Sequence, residues 1–375
     1  MNAAAIEHLV IGGGPAGAMA ALRLAQAGRV VVLLERERAA HSKVCGEFLS
    51  HEALGYLRQI GIHPEELGAV PIDRVRLAAG TRAAEIPLPF PALSLSRRLL
   101  DEAMLALAGA NGCDVRRGAE VDSLRREREA WMVRVRGRET LRARNVFLAS
   151  GKHDLRGWAR GPGLQSDLVG FKMYWRLMPD QVASLRAGME LFLFPGGYGG
   201  LSLVESDAAN LCLVVKRERL RIAGGWAHLL DAIRSFDARL AERLLAAEPI
   251  NVRPLAISPI PYGYRAPHRE DLWRVGDQAA VIPSFTGDGM SIALHSGALA
   301  AQMFLAGKTP GEYLPTLHAQ LKRGMKLATM LSQIMVTSAG RSLAPGLLGL
   351  APGTMGWIAH ATRIDKRDLV TCALQ

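Results

Sequence analysis

The apolar pattern at the start of the chain predicts a strand, a turn, a helix and a second strand. Residues 9–11 form a short apolar run of the kind found in strands buried on both faces. A glycine-rich stretch follows, and the Ala- and Leu-rich run 15–27 predicts a helix that ends at Gly28. The apolar run 30–34 predicts the next strand. Strand and helix therefore alternate in this part of the chain.

Between about residues 168 and 264 the pattern changes to short runs with turn-rich boundaries. Four of these runs have the length of a strand: 171–177, 190–194, 201–205 and 210–216. They predict an antiparallel sheet. Apolar residues at helical spacing in 226–247 predict helices on the outside of that sheet, and a further helix is predicted over 310–335.

The glycine-rich stretch has the spacing of a dinucleotide-binding turn, with Gly12, Gly14 and Gly17 at its key positions and Ala16 between them. The first glycine permits the tight turn, the second lets the backbone approach a pyrophosphate, and the third lets helix and strand pack closely. Glu35 lies 18 residues after Gly17, where a carboxylate binds ribose hydroxyls and repels a 2′-phosphate. The nucleotide is therefore predicted to be FAD or NAD rather than NADP.

A second candidate cofactor segment favours FAD. The segment 272–280 is predicted to contain a strand that ends in the pair Gly276-Asp277. A glycine turn at 287–290 then leads into a helix predicted over 291–305. Asp277 can accept a hydrogen bond from a ribityl hydroxyl. The N–H groups of the turn would stabilise negative charge at the N1–C2=O edge of a flavin. An NAD dehydrogenase needs no such segment, so non-covalent FAD is predicted.

Composition narrows the possible partners. The 375 residues carry a formal charge of +11, and 38 of the 46 basic residues are scattered arginines. Without a basic-aromatic motif, this excess is a compositional bias and predicts no nucleic-acid partner. Four well-separated cysteines suggest neither a metal site nor a disulfide framework, and the start of the chain lacks the pattern of a signal peptide. A cytoplasmic location is expected.

One C-terminal stretch allows two interpretations. Residues 343–361 contain no Asp, Glu, Lys or Arg, but they do contain Pro345, Pro352 and four glycines. Such a stretch is unsuited to a clean membrane-spanning helix. A buried C-terminal cap is favoured over an interfacial segment, so peripheral membrane contact at the inner face stays open.

These motifs resemble the FAD oxidoreductases of the para-hydroxybenzoate hydroxylase fold, most closely the geranylgeranyl reductase branch. The resemblance runs from about residue 6 to 335 and includes a Cys-Gly loop and an aromatic and glycine stretch at 191–200. It implies an α/β fold with a Rossmann-type FAD-binding domain, an antiparallel-sheet substrate domain and a C-terminal helical segment. The residues it assigns to the cofactor, in addition to those above, are Arg36, Cys45, Gly46, Arg97, Val121, Gly287, Asp288, Gly289 and Met290.

The sequence departs from the hydroxylases of this fold at one point. These enzymes carry an Asp-Gly pair associated with NAD(P)H use after a central strand, but here Ser150-Gly151 is followed by Lys152-His153. Docking of NAD(P)H in the hydroxylase manner is therefore in doubt, and a separate electron donor is an alternative. The Trp-x-Trp-x-Ile-Pro signature of tryptophan halogenases is also absent, which argues against halogenation.

The predicted domains are discontinuous. The FAD-binding domain comprises 1–75, 92–167 and 265–335, the substrate-binding sheet domain comprises 76–91 and 168–264, and residues 336–375 form a cap. Trp175, Phe192, Phe194 and Tyr198 either line an apolar substrate pocket or belong to the core.

No catalytic side chain is evident, because FAD carries the redox chemistry. Cys45 is the candidate thiol, although a packed small residue explains it equally well. Asp288 is predicted to cap the following helix and His295 to be packed.

Three functions remain. The first is geranylgeranyl-reductase-like C=C redox chemistry on a lipophilic, aromatic or polyketide-like molecule. The second is hydroxylation of a phenol or quinone by an FAD-dependent monooxygenase. The third is a non-catalytic FAD-binding or membrane-associated scaffold.

Overall fold

The computed structural model describes residues 5–138, 140–268, 271–342 and 353–371. Within these ranges the strands are, in chain order, β1 (Ile6–Ile11), β2 (Val31–Glu35), β3 (Phe48–Leu49), β4 (Val70–Ala79), β5 (Arg82–Ser94), β6 (Asp114–Arg117), β7 (Val121–Glu127), β8 (Ala130–Val135), β9 (Leu141–Leu148), β10 (Leu168–Arg176), β11 (Ala187–Phe194), β12 (Gly197–Leu203), β13 (Ala208–Lys216), β14 (Glu248–Pro249), β15 (Leu255–Ile257) and β16 (Trp273–Arg274). The helices are α1 (Pro15–Gln26), α2 (His51–Gln59), α3 (Arg97–Ala110), α4 (Pro179–Leu185), α5 (Arg217–Ala223), α6 (Trp226–Phe236), α7 (Ala238–Arg243), α8 (Gly289–Leu305), α9 (Pro310–Met335) and α10 (Gly353–Ala361).

The first sheet has the parallel core that the opening pattern predicts. Its strand order is β6-β2-β1-β9-β8-β7, with β16 also paired to β9. The pairs β2–β1, β1–β9 and β9–β16 are parallel, whereas β7, β8 and β9 pair antiparallel. The apolar end of β1, residues 9–11, is buried because α1 covers one of its faces and side chains of β7–β9 pack with the other.

Helix α8 packs against the first helix of the chain, although more than 250 residues separate them in sequence. α1 packs against α8 at Ala16, whose carbonyl oxygen leaves no room for a Cβ on Gly297. Gly276 also lies against Ala16, since a Cβ there would approach that of Ala16 to 2.9 Å. The two candidate cofactor segments therefore meet in space. The predicted strand over 272–280 is shorter than expected and ends at Arg274.

The second sheet has the order β14-β10-β13-β12-β11-β4-β5-β3, with β15 also on β10. Its pairs are antiparallel except β4–β11, which is parallel. The four strands predicted between 171 and 216 are all present with shifted ends. The predicted domain division at 75/76 falls inside β4, which pairs with this sheet along most of its length.

In strands β10–β13 of the second sheet both faces are buried, in different cores. Helices α5, α6 and α7 cover the outer face, where Phe192, Phe194 and Trp175 pack together with their residues. Leu193 and Tyr198 point the other way, into the core shared with α1 and α8. Core packing therefore accounts for Phe192, Phe194 and Trp175, and only Tyr198 of the predicted pocket residues faces the cofactor segments.

The C-terminal part begins with α9, whose bounds are those predicted from the sequence. Residues 343–352, in the stretch with two interpretations, and Cys372 lie outside the described residues. Residues 361–371 return to the body of the protein, where Ile364 and Val370 are buried and the Val370 N–H donates to the Tyr56 hydroxyl at 2.9 Å. None of the described helices combines the length and apolar character needed to cross a bilayer.

Candidate FAD site

The glycine turn between β1 and α1 has the geometry that its spacing predicts. Gly12 has a φ of +108°, and a Cβ there would collide with the carbonyl of Ala149 at the end of β9. A Cβ on Gly17 would collide with the carbonyl of Gly12. Gly14, by contrast, faces a space whose nearest atom to such a Cβ is Nη2 of Arg97, at 3.2 Å. The backbone N–H groups at the first turn of α1 and the guanidinium of Arg97 therefore border the same space, an arrangement that suits an anion.

Glu35 lies at the end of β2 beside this turn. Its Oε2 accepts a hydrogen bond from the N–H of Gly13 at 2.8 Å, and its Oε1 accepts from the N–H of Glu37 at 3.0 Å. The N–H of Ala119 donates to the Glu35 carbonyl, which brings the segment before Val121 next to the carboxylate. Glu35 and Val121 are buried, whereas Arg36 is exposed and pairs with Glu37. The residues predicted to hold the adenosine therefore lie in one region.

Arg97 links the glycine turn to the Cys-Gly loop. It is the first residue of α3, as predicted, and its N–H donates to Oε1 of Glu47 at 2.7 Å. Its guanidinium makes a two-point ion pair with Asp101, at 2.7 and 2.9 Å, and Lys43 pairs with the same carboxylate. These contacts fix Arg97 in front of Gly14.

Lys152 is a member of this site that the sequence prediction missed. Its Nζ lies 3.2 Å from Oδ2 of Asp277, and this ion pair raises the pKa of Lys152. Burial alone would raise the pKa of Asp277, but Lys152 and Arg160 outweigh that effect and hold it below its usual value. Lys152 follows β9, and ligands of open α/β sheets bind at the carboxyl ends of strands, so that rule could have identified it.

The Cys-Gly loop is supported by a buried cluster that the sequence prediction also missed. Glu47 has a φ of +59° and no exposed surface. Its carboxylate forms an ion pair with Lys172 and accepts the Tyr174 hydroxyl at 2.7 Å. Nothing local in the sequence marks this cluster, because Lys172 and Tyr174 come from β10, more than 120 residues away.

The structure gives Cys45 a polar setting. Its thiol is half-buried and lies close to the Arg97 and Lys152 cations. Burial raises the pKa of the Cys212 thiol on β13 to about 12 and keeps that thiol protonated. Cys45 thus remains the candidate thiol of the cleft.

The turn before α8 packs against the second sheet. A Cβ on Gly287 would meet the ring of Phe48 at 2.5 Å, and the ring of Phe285 makes an edge contact with that of Tyr198. The hydroxyl of Tyr262 donates to Oγ of Ser284 at 2.8 Å, and Tyr198 lies 3.3 Å from the same oxygen. Ser284 and Gly289 are exposed, Met290 is buried behind them, and the turn therefore forms one wall of an open cleft.

Asp288 does not cap α8 with its side chain, contrary to the sequence prediction. It occupies the cap position, but its carboxylate turns inward and Oδ1 accepts from Nη1 of Arg363 at 2.9 Å. Burial raises the pKa of Asp288 to about 6 although Arg363 opposes the shift. His295 is a packed residue, as predicted, held by Tyr56 and Gln320.

These residues fit an FAD molecule. A Cβ on Gly14, Gly46 or Gly289 would meet only the tip of Arg97 or nothing within 4 Å, so backbone borders open space in all three segments. Cations and an acid, Arg97, Lys152 and Asp277, face that space. Backbone N–H groups and cations suit the diphosphate, and Asp277 suits hydroxyls.

Comparison with known proteins supports FAD as the cofactor. Residues 5–155 match the family described as FAD binding domain. The chain is 25% identical to the menaquinone reductase of Mycolicibacterium smegmatis, over 96% of this chain and 98% of that protein. It is 28% identical to the digeranylgeranylglycerophospholipid reductase of Methanoculleus marisnigri, over 87% of this chain and 84% of that one.

Solved structures share the fold. A flavin-dependent brominase aligns with a TM-score of 0.78 over 98% of this chain and 96% of its own, at 16% identity. The myxobacterial chondrochloren halogenase aligns with a TM-score of 0.76 at 20% identity, over 96% of this chain and 91% of its own. At these identities the likeness concerns the fold alone. The chain is thus an FAD-dependent oxidoreductase of the para-hydroxybenzoate hydroxylase fold, with an FAD binding domain at residues 5–155 and a similarity to the geranylgeranyl reductases.

Proposed function

We propose that this protein reduces a C=C bond of a lipophilic substrate, with FAD as the hydride carrier. One structural observation carries the proposal. Beside the turn before α8, the hydroxyls of Tyr198, Tyr262 and Ser284 converge in an apolar setting that includes Leu193 of the second sheet and Phe285 of the turn. Ser284 is exposed, and the two tyrosines are buried directly behind it. An apolar wall with a few convergent hydroxyls suits a lipophilic molecule.

The hydroxyls of Tyr198, Tyr262 and Ser284 can supply the proton that this reduction needs. Reduction of a C=C bond needs a hydride on one carbon and a proton on the other, and bound FAD supplies hydride chemistry. Burial raises the pKa of both Tyr198 and Tyr262, so both keep their protons at neutral pH and act as donors. Ser284 is exposed and bonded to both tyrosines, which gives a path for replacing the proton.

The relatives support the same direction. Their names refer to a quinone and to a geranylgeranyl phospholipid, and the menaquinone reductase aligns over nearly its whole length. We extend to this chain the substrate class that these names share, a lipophilic molecule, and with it contact of the protein with a membrane surface from the cytoplasmic side.

The electron donor is part of the proposal. Lys152 and His153 stand where related hydroxylases carry an Asp-Gly pair, and Lys152 is engaged with Asp277. Hydride transfer needs the nicotinamide held roughly 3–3.5 Å from the flavin. We therefore expect NADH and NADPH to reduce the flavin slowly and a separate donor to be needed for fast turnover.

Anaerobic stopped-flow absorbance tests the proposal. Enzyme reduced with dithionite is mixed with quinones, polyprenyl lipids or phenols, and flavin reoxidation is followed. We expect reoxidation by a lipophilic C=C substrate without oxygen, slowed at least tenfold in Tyr198→Phe. Tyr313→Phe is the matched control, because it removes a buried hydroxyl that donates to the Ser296 carbonyl, away from the cleft.

The monooxygenase alternative makes the opposite forecast. In that case NADH or NADPH bleaches the flavin quickly once a phenol binds, and a hydroxylated product forms only with oxygen. That result would overturn the reductase proposal and leave the FAD assignment intact.

A further inference from the structure

A single arginine connects three separate parts of the cleft. Nη1 of Arg363 donates to Oε2 of Glu52 at 2.8 Å and to Oδ1 of Asp288 at 2.9 Å. Its guanidinium carbon also lies 4.0 Å from the centre of the Phe90 ring on β5. All three charged side chains are at most 8% exposed. The interaction is therefore a buried one, in which charges are screened little by solvent.

The two carboxylates belong to two segments that are distant in sequence and packed against each other. Asp288 is part of the glycine turn that opens α8. Glu52 lies in the first turn of α2, directly after the strand β3 that follows the Cys-Gly loop. Phe48 of β3 also packs against Gly287 of the turn. The arginine thus spans the seam between the two backbone segments that border the open space at Gly46 and Gly289.

The seam contains polar atoms that the described residues leave unsatisfied. Nε of Arg363 is buried and has no hydrogen-bond partner in the described part of the chain, while Oδ2 of Asp288 and Oγ1 of Thr362 are buried next to each other with poor hydrogen-bond geometry. Buried orphan atoms of this kind are rare and mark a ligand, a water or stored strain. Here all three belong to the cluster that contains the cofactor turn.

We propose that Arg363 is a positioning residue for FAD, which holds the start of α2, just after the Cys-Gly loop and β3, against the turn at 287–290 and so fixes the backbone that borders the flavin. The inference rests on the placement of FAD in this cleft. It assigns a cofactor-related role to residues 361–371, because Arg363 lies in the segment that Val370 and Ile364 anchor in the core. We refer to Arg363, Glu52 and Asp288 together as the Arg363 clamp.

The clamp has one cation for two carboxylates, so the charge and the shape of residue 363 should both affect FAD binding. Without Arg363, Glu52 and Asp288 would face each other as buried like charges, and the two segments would separate or one acid would take up a proton. Lysine can retain the charge and donate to both oxygens, but it lacks the planar contact with Phe90. A neutral side chain retains neither.

The experiment measures FAD affinity and stability separately. The full-length protein is stripped of FAD, FAD binding is titrated by quenching of flavin fluorescence, and unfolding of the FAD-free protein is followed in urea. We expect Arg363→Gln to raise the Kd for FAD about 10- to 100-fold, the size associated with loss of a hydrogen bond to a charged group. Arg363→Lys should recover most of the affinity.

Arg367→Gln is the matched control. It removes the same charge four residues away, at a side chain that is 90% exposed and pairs only locally with Asp365. Its Kd should stay within twofold of the parent. Glu52→Gln provides a milder test in case Arg363→Gln does not fold, because it loosens one segment while Arg363 keeps Asp288, and it should raise the Kd about three- to tenfold.

The outcomes separate the clamp from the cofactor site. If Arg363→Gln and Glu52→Gln are less stable but bind FAD like the parent, Arg363 is only structural and the proposal is overturned. Asp277→Ala is measured in parallel. Unchanged FAD affinity in Asp277→Ala overturns the placement of the cofactor, whereas a weakened Asp277→Ala beside an unchanged Arg363→Gln overturns the clamp alone.

Discussion

Replacing Lys172 with methionine should destabilise the protein strongly, because Lys172 is one half of a buried ion pair. Lys172 and Glu47 are both fully buried, and they form an ion pair between β10 and the Cys-Gly loop. The ammonium also lies 4.3 Å from the centre of the Tyr174 ring. Removing one partner of such a pair leaves the other charge buried without compensation, which costs about 3–5 kcal/mol.

The structure places the cost near the lower end of that range. Without Lys172, the Glu47 carboxylate keeps the Tyr174 hydroxyl at 2.7 Å and the Arg97 N–H at 2.7 Å. It can also take up a proton. We therefore expect Lys172→Met to lower the free energy of unfolding by about 3 kcal/mol. In the double variant with Glu47→Gln no buried charge remains, and the loss should be smaller by about 1–3 kcal/mol than the sum of the two single losses.

The assay is equilibrium urea unfolding of the FAD-free protein, followed by tryptophan fluorescence. Lys308→Met serves as control, because Lys308 is exposed and pairs with Glu312 one turn along α9, so its loss should be under about 0.5 kcal/mol. The reasoning fails if Lys172→Met costs no more than Lys308→Met, or if the two single losses add up in the double variant.

Three further predictions follow from the site. The purified protein should be yellow and should release FAD into the supernatant on acid precipitation; a colourless protein that cannot be reconstituted with FAD would contradict the assignment. Asp277→Ala should weaken FAD binding by about 1–3 kcal/mol in a titration while the melting temperature of the FAD-free protein changes little. Glu35→Ala should weaken FAD binding similarly, but it should also lower that melting temperature, because it leaves the Gly13 and Glu37 N–H groups without their acceptor. Because burial raises the pKa of Asp288 from 3.8 to about 6, the folded protein binds this proton more tightly than the unfolded chain, and its contribution to stability declines as the pH rises from about 4 to 6. Asp288→Asn removes that decline, so its stability relative to the parent should be higher at pH 7.5 than at pH 4.5 by about 1–3 kcal/mol in urea unfolding, and a pH-independent difference would refute the pKa argument.

The sequence predicts the parts of this site that depend on local pattern. The glycine spacing, the acid at Glu35, the Asp277 segment and the helix opened by Arg97 are all read within short windows, and the structure brings them to one cleft. The start of α9 follows from Thr309, which caps the helix together with Glu312, and from Pro310 at its first position.

The missing parts depend on contacts between distant segments. β4 pairs in parallel with β11 more than 100 residues later, and no local pattern specifies that partner. Phe192 and Leu193 could not be assigned to a face, because both faces of β11 are buried there and alternation in polarity is lost. The clamp residues Glu52, Asp288 and Arg363 are likewise distant in sequence, and they meet only in the folded chain.

The close approach of α1 and α8 at Ala16 and Gly297 has a consequence for synthesis on the ribosome. The first 155 residues match a nucleotide-binding domain, yet β16 and α8, which complete that part of the fold, are translated only after residue 272. Until α8 has been made, the apolar face of α1 that will pack against it stays exposed to solvent or to chaperones. The FAD site therefore cannot form until most of the chain has been translated. An amino-terminal fragment that ends near residue 155 should be insoluble and colourless and should not behave as a small flavoprotein.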